Sequence, residues 1–177
     1  EDSPVYQSRV LGEFPLETSD VLIKLEWIND SVIRHERNEH LAPRGKVVLS
    51  IDVARFGADR TVFIVRQGNR ICEIISYHGY SLDKTWNTAD GLISRWHPDE
   101  VVIDDNGVRG GVTDRLREMG HKNVIAVIAG AEPQDKVKYY NLKAELAWRT
   151  REAFRTGELD IPNHETLIFE CNNQFYD

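Results

Sequence analysis

From residue 46 onward, short apolar runs alternate with polar breaks in a rhythm too brief for helices. Val47-Val48-Leu49-Ser50-Ile51 is a β-branched run closed by Asp52, and it reads as a buried strand. Residues 61–66 and 71–77 are two further strand-like runs, separated by Gln67-Gly68-Asn69-Arg70, whose Gly-Asn pair signals a hairpin turn. These three runs predict an antiparallel meander. Leu82, Trp86, Ala89, Ile93 and Trp96 then recur at helical spacing after Ser81, a cap candidate, until His97-Pro98 ends the pattern. Val101-Val102-Ile103 is another buried strand, closed by Asp104. A helix follows with Val112, Leu116 and Met119 on one face and Gly120 as its stop, and residues 123–128 predict a fifth strand. A longer amphipathic helix is predicted from about residue 139 to 156, stopped by Gly157, and the spacing of Ile168, Cys171 and Phe175 predicts a last one.

The first 45 residues differ. Pro4 and Pro15 precede a cap candidate at Ser19-Asp20, a helical pattern follows around Trp27, Ile28, Val32 and Ile33, and Pro43-Arg44-Gly45 is a breaker. A leader over residues 1–45 and a folded domain over 46–177 are therefore predicted. The order of elements predicts an α/β fold: a mixed sheet, with an antiparallel three-strand meander plus parallel strands, flanked by helices. That is the order of a ribonuclease H-like core.

Composition narrows the picture. With 177 residues and 41% hydrophobic content, the chain has room for one domain and an appendage. No apolar run approaches the roughly 20 residues needed to cross a bilayer, so a soluble protein is expected. The chain opens Glu1-Asp2-Ser3-Pro4, with no secretory signal, and is expected to begin mid-protein. Cys72 and Cys171 fit no metal spacing and read as buried free thiols. A net charge of −7 argues against coating nucleic acid by bulk electrostatics, so any contact with a phosphate backbone must be local. One stretch is locally basic: Lys136, Lys138, Lys143, Arg149, Arg151 and Arg155 against Glu145 and Glu152, which is either a phosphate-binding surface or a solvated helix face.

The candidate chemistry lies in the two aspartates that close apolar strands. In a ribonuclease H-like sheet the first and fourth strands are neighbours, so Asp52 and Asp104 are expected to converge. Like charges that close raise each other's pKa unless a cation lies between them, and hard carboxylate oxygens suit Mg²⁺ or Mn²⁺. Two such ions about 3.5–4 Å apart activate a water and stabilise a leaving oxygen in phosphodiester cleavage. The plainer reading has Asp52 capping the turn over 53–59 and Asp104-Asp105-Asn106-Gly107 forming an Asx-type turn. Asp59 is an auxiliary ligand at best, and Asp105 reads as a solvated turn residue. The histidines form no zinc constellation. Gly107-Val108-Arg109-Gly110-Gly111 opens a helix whose amides either meet a phosphate or simply make a tight turn.

These residues resemble the C-terminal nuclease domain of the large terminase subunit of tailed bacteriophages and prophages. The stretch from Ser50 through Asp52 to Gly57-Ala58-Asp59-Arg60-Thr61 looks like the family's first acidic motif, and Val102-Ile103-Asp104-Asp105-Asn106-Gly107 through Leu116 looks like its second. Asn141-Leu142-Lys143-Ala144-Glu145 through Phe154, then Gly157 to Ile161-Pro162, is similar to the helix and turn that follow. The leader, Glu1 to Pro15, looks like the passage joining the motor ATPase to the nuclease. Arg109 stands where the family often has glycine, and the family's third catalytic acid has no match here, Asp177 included.

The resemblance implies a Mg²⁺- or Mn²⁺-dependent endodeoxyribonuclease that cuts concatemeric viral DNA in the host cytoplasm. Asp52 and Asp104 are its catalytic, metal-holding residues, and without the third acid one ion position is expected to be weak. Arg109, Lys136, Lys138, Lys143 and Arg149 are the expected DNA contacts. The implied partners are double-stranded DNA, the ATPase domain, the small terminase subunit and the portal. The alternative is a catalytically incomplete remnant or docking module of the same fold that binds DNA or motor partners. An actin-like or sugar-kinase reading fails on Val53-Ala54-Arg55-Phe56, too bulky for a phosphate hairpin, and the leader argues against a junction resolvase.

Overall fold

The computed structural model describes residues 21–37, 44–54, 59–79, 81–104 and 111–174. Five strands, β1 (Val47–Asp52), β2 (Arg60–Gln67), β3 (Arg70–His78), β4 (Glu100–Asp104) and β5 (Val124–Val127), form one sheet in the order β3-β2-β1-β4-β5. β1, β2 and β3 pair antiparallel, whereas β4 lies parallel to β1 and β5 parallel to β4. The described helices are α1 (Leu25–Arg37), α2 (Leu82–Trp96), α3 (Gly111–Glu118), α4 (Leu142–Arg155) and α5 (Glu165–Asn172). The meander and the two parallel additions are those of a ribonuclease H-like fold, as the order of elements predicts.

Alternation along the strands decides which face is buried. Leu49 and Ile51 of β1, Phe63 and Val65 of β2, and Val101 and Ile103 of β4 point to one side, where Ala89, Leu92 and Ile93 of α2 and Val112 and Leu116 of α3 close over them. Local chemistry fixes the joints. In the β2–β3 hairpin Gly68 has φ 55, and a Cβ there would lie 1.9 Å from the Arg44 carbonyl oxygen, so only glycine fits. His97 ends α2 in the left-handed region, at φ 47, with its amide donating to the Ile93 carbonyl at 2.9 Å, and Pro98 prevents continuation.

Several boundaries differ from the expected ones. α4 starts at Leu142 rather than near 139, because the Asn141 side chain accepts from the Ala144 amide at 2.8 Å and caps the helix there. Ser81 does precede α2, but its hydroxyl caps no helix amide; its carbonyl instead accepts from the Thr85 amide and hydroxyl at 3.0 and 3.1 Å. Cys72 and Cys171 are free but only partly buried, and burial, with Glu170 second, pushes the Cys171 thiol up to about 11. Phe175, Arg109 and the start of the leader lie outside the described residues. No helix among the described residues is long and apolar enough to cross a membrane.

The chain divides into two compact units, Asn38–Arg149, and Glu1–Arg37 with Thr150–Asp177. The first holds the sheet, α2 and α3. In the second, the buried Ser31 of α1 donates to the Leu159 carbonyl at 2.5 Å and accepts from the Ile161 amide at 3.1 Å. Arg34 donates to Asp160 at 2.9 Å, and the Trp27 ring has Arg151 5.2 Å and Lys24 5.7 Å from its centre.

Candidate active site

Strand register places the two aspartates. β1 and β4 are parallel, and Asp52 is the register partner of Asp104. Partners on adjacent parallel strands project to the same face with backbones about 4.8 Å apart, so the two carboxylates stand side by side at the C-terminal edge of the sheet. They occupy the face opposite the core, since each follows a buried isoleucine, Ile51 and Ile103. Asp52 is exposed and Asp104 half-buried, so neither carboxylate is fully withdrawn from solvent. Two hard oxygen donors on one face of adjacent strands suit a divalent cation.

The Gly-x-Asp-x-Thr segment acquires a physical explanation. Thr61 is fully buried at the start of β2, and its hydroxyl accepts from the Ala54 amide at 3.2 Å, closing the chain back onto the end of β1. Asp59 is exposed just before β2. Among the described residues no three His, Cys, Asp or Glu side chains form a group able to hold a metal ion, so Asp59 does not complete a set with Asp52 and Asp104.

The segment with the predicted basic residues begins at the same edge. Val127, the last residue of β5, is the register partner of Asp104, and residues 128–141 leave the sheet from there. Glu145 is the residue whose importance composition hides. It is 1% exposed, its carboxylate accepts from the Gln134 amide at 2.5 Å and pairs with Arg149 at 2.6 Å, and Arg149 also donates to the Gln134 side chain at 2.9 Å. The turn after it is held by Asp135, which accepts from the Val137 and Lys138 amides at 3.1 and 3.2 Å. Several basic residues have local carboxylate partners: Lys136 with Glu132, Lys138 with Asp135 at 3.7 Å, Arg149 with Glu145, and Arg155 with Glu152 at 2.6 Å. Lys143 makes no ion pair among the described residues. Most of these pairs are exposed and worth at most about 1 kcal/mol, so a phosphate can replace the carboxylate.

Sequence reading missed a second cationic group. Arg60 and Val62 point away from the core, alternating with the buried Thr61 and Phe63, and Val62 is the register partner of Asp52. Arg60 is in turn the register partner of His78, and its Nη1 lies 2.9 Å from His78 Nε2. Its signal was present as an arginine at a strand start, but only register shows the face it shares.

The fold is that of terminase nuclease domains. A solved structure of a variant nuclease domain of the large terminase subunit of bacterial virus Sf6, with manganese and β-thujaplicinol, is 20% identical over 86% of this chain and 81% of that one, with a TM-score of 0.68. Another structure of the Sf6 nuclease domain is 21% identical with the same coverages and a TM-score of 0.67. The large terminase nuclease from thermophilic phage G20c, with bound magnesium, is 18% identical over 91% of this chain and 84% of that one, with a TM-score of 0.63. No family model and no curated protein matches the chain.

Proposed function

We propose that this chain is the metal-dependent endodeoxyribonuclease domain of a viral genome-packaging terminase, cutting concatemeric DNA in the host cytoplasm. The observation that carries this reading is the register pairing of Asp52 with Asp104 on adjacent parallel strands, on one face at one sheet edge. The fold adds support, as do the manganese and magnesium carried by structures that share it.

Asp52 and Asp104 hold Mg²⁺ or Mn²⁺, with Asp59 at most an outer contributor. The bound metal supplies an activated water and charge stabilisation for the leaving oxygen. The chain's own residues do the rest: the two carboxylates fix the metal site, and Lys136, Lys138, Lys143 and Arg149, with Arg109, hold the phosphate backbone. Residues 1–45 form the junction with the ATPase domain, and the small terminase subunit and portal are the remaining partners.

Calorimetry with Mn²⁺ tests the site directly. The parent chain binds one ion, and Asp52→Asn weakens binding tenfold or more, since even changes around metal ligands cost about 10–100-fold. No binding by the parent, or binding indifferent to the substitution, removes the metal site and leaves a docking module of the same fold.

A further inference from the structure

We propose that Arg60, oriented by His78, is a phosphate-binding residue that holds a non-bridging oxygen of the nucleic-acid backbone beside the Asp52–Asp104 pair. The inference rests on the nuclease reading above, because it names the substrate group that the same edge receives.

Placement is the first argument. β2 is an interior strand, flanked by β3 and β1, so Arg60 is next to the site rather than on an outer margin of the sheet. Because Val62 faces Asp52 across the β1–β2 ladder, Arg60 lies two residues further out on the same face, past the point where β1 ends. One strand spacing and two residue rises put its Cα roughly 8 Å from that of Asp52, which is the separation a long side chain needs to reach a phosphate seated on the carboxylates.

Charge is the second. The chain carries −7 overall, and cations elsewhere in it are paired with carboxylates: Lys46 with Glu100 and Arg95 with Glu73. Arg60 makes no ion pair among the described residues. Its partner is an imidazole nitrogen, which accepts from the guanidinium only when His78 Nε2 is unprotonated. A neutral acceptor fixes the orientation of the guanidinium without cancelling its charge, and the planar fork that remains suits phosphate oxygens. An arginine kept only for solubility needs neither the shared face nor the imidazole.

The test is duplex binding by fluorescence anisotropy over a range of NaCl, in EDTA and again in Ca²⁺, with thermal melts to show that each variant folds. Arg60→Gln weakens binding about tenfold or more, the worth of a charge-assisted hydrogen bond, and lowers the slope of log affinity against log salt by about 0.9 for the one phosphate no longer neutralised. Arg60→Lys restores the slope but only part of the affinity, because an ammonium lacks the fork. His78→Phe keeps the slope and loses part of the affinity. Mn²⁺ affinity of Arg60→Gln stays within about threefold of the parent, since a screened charge at that distance perturbs the metal only slightly. Unchanged affinity and slope in Arg60→Gln overturn the proposal, and so does a parent chain that binds no duplex in either buffer. Failure of the metal site is read separately: loss of the Asp52-dependent Mn²⁺ signal with the Arg60 effect intact removes the nuclease chemistry and leaves the phosphate-binding role standing.

Discussion

Thr61 shows how a single hydroxyl shapes the site. It is buried at the first turn of β2, and the Ala54 amide that it receives belongs to the chain just beyond Asp52. Thr61→Val keeps the shape and removes the acceptor, leaving that amide without its partner, at a cost of about 1–2 kcal/mol. Urea unfolding reads this as a lower midpoint with an unchanged slope, whereas an unshifted midpoint means the loop is closed by other means. The sequence marked Thr61 only as a member of a motif. Its burial and partner depend on the β1–β2 register, which periodicity does not supply.

At the scale of elements, the predicted strands and helices are nearly all found, because β1 and β4 are short β-branched apolar runs closed by an aspartate, turn residues bound β2 and β3, and a period of 3.6 runs along α2 and α3. The start of α4 departs from this rule. The two tyrosines before it extend the predicted helix to about residue 139, yet Asn141 caps the helix and the Asp135 turn holds the chain before it, so side chain to backbone hydrogen bonds set the start. α1 poses the opposite case, a well-formed helix whose partner the sequence does not reveal. Its Ser31 bridges the Leu159 carbonyl and the Ile161 amide. Ser31→Ala leaves the buried Ile161 amide unpaired while the Leu159 carbonyl keeps its bond from Arg34 at 3.0 Å, so amide hydrogen exchange in α1 and residues 159–161 should accelerate by about one to two orders of magnitude, matching a local loss of about 1–3 kcal/mol. Exchange that rises equally in β1 and β4 would instead mean that the unit of Ser31 does not open by itself.

For the whole molecule the governing fact is a net charge of −7 on a chain proposed to hold DNA. Any grip on phosphate has to come from a few residues at one edge. Residues 128–141 depart from the sheet beside Asp104, and Glu145 pins them through the Gln134 amide, so Lys136 and Lys138 belong to an ordered turn rather than a loose tail. Charge reversal at Lys138 and Lys143 together should weaken duplex binding and reduce the salt slope by up to about 1.8, or 0.9 for each phosphate that a lysine neutralises. An unchanged slope assigns both lysines to a solvated face and leaves the electrostatic work to other cations of the edge.

The sequence by itself determined the elements, the α/β order and the two aspartates, because apolar period, turn residues and strand-ending carboxylates are local properties of the chain. Only the tertiary structure decided what is a matter of register and distant pairing. That Asp52 and Asp104 share a row and a face, that Arg60 joins them two residues further out, and that Glu145 is buried against Gln134 and Arg149 all depend on which strand lies beside which. A one-residue slip of β4 against β1 would leave every local pattern intact and send the two carboxylates to opposite faces, because side chains alternate at every step along a strand.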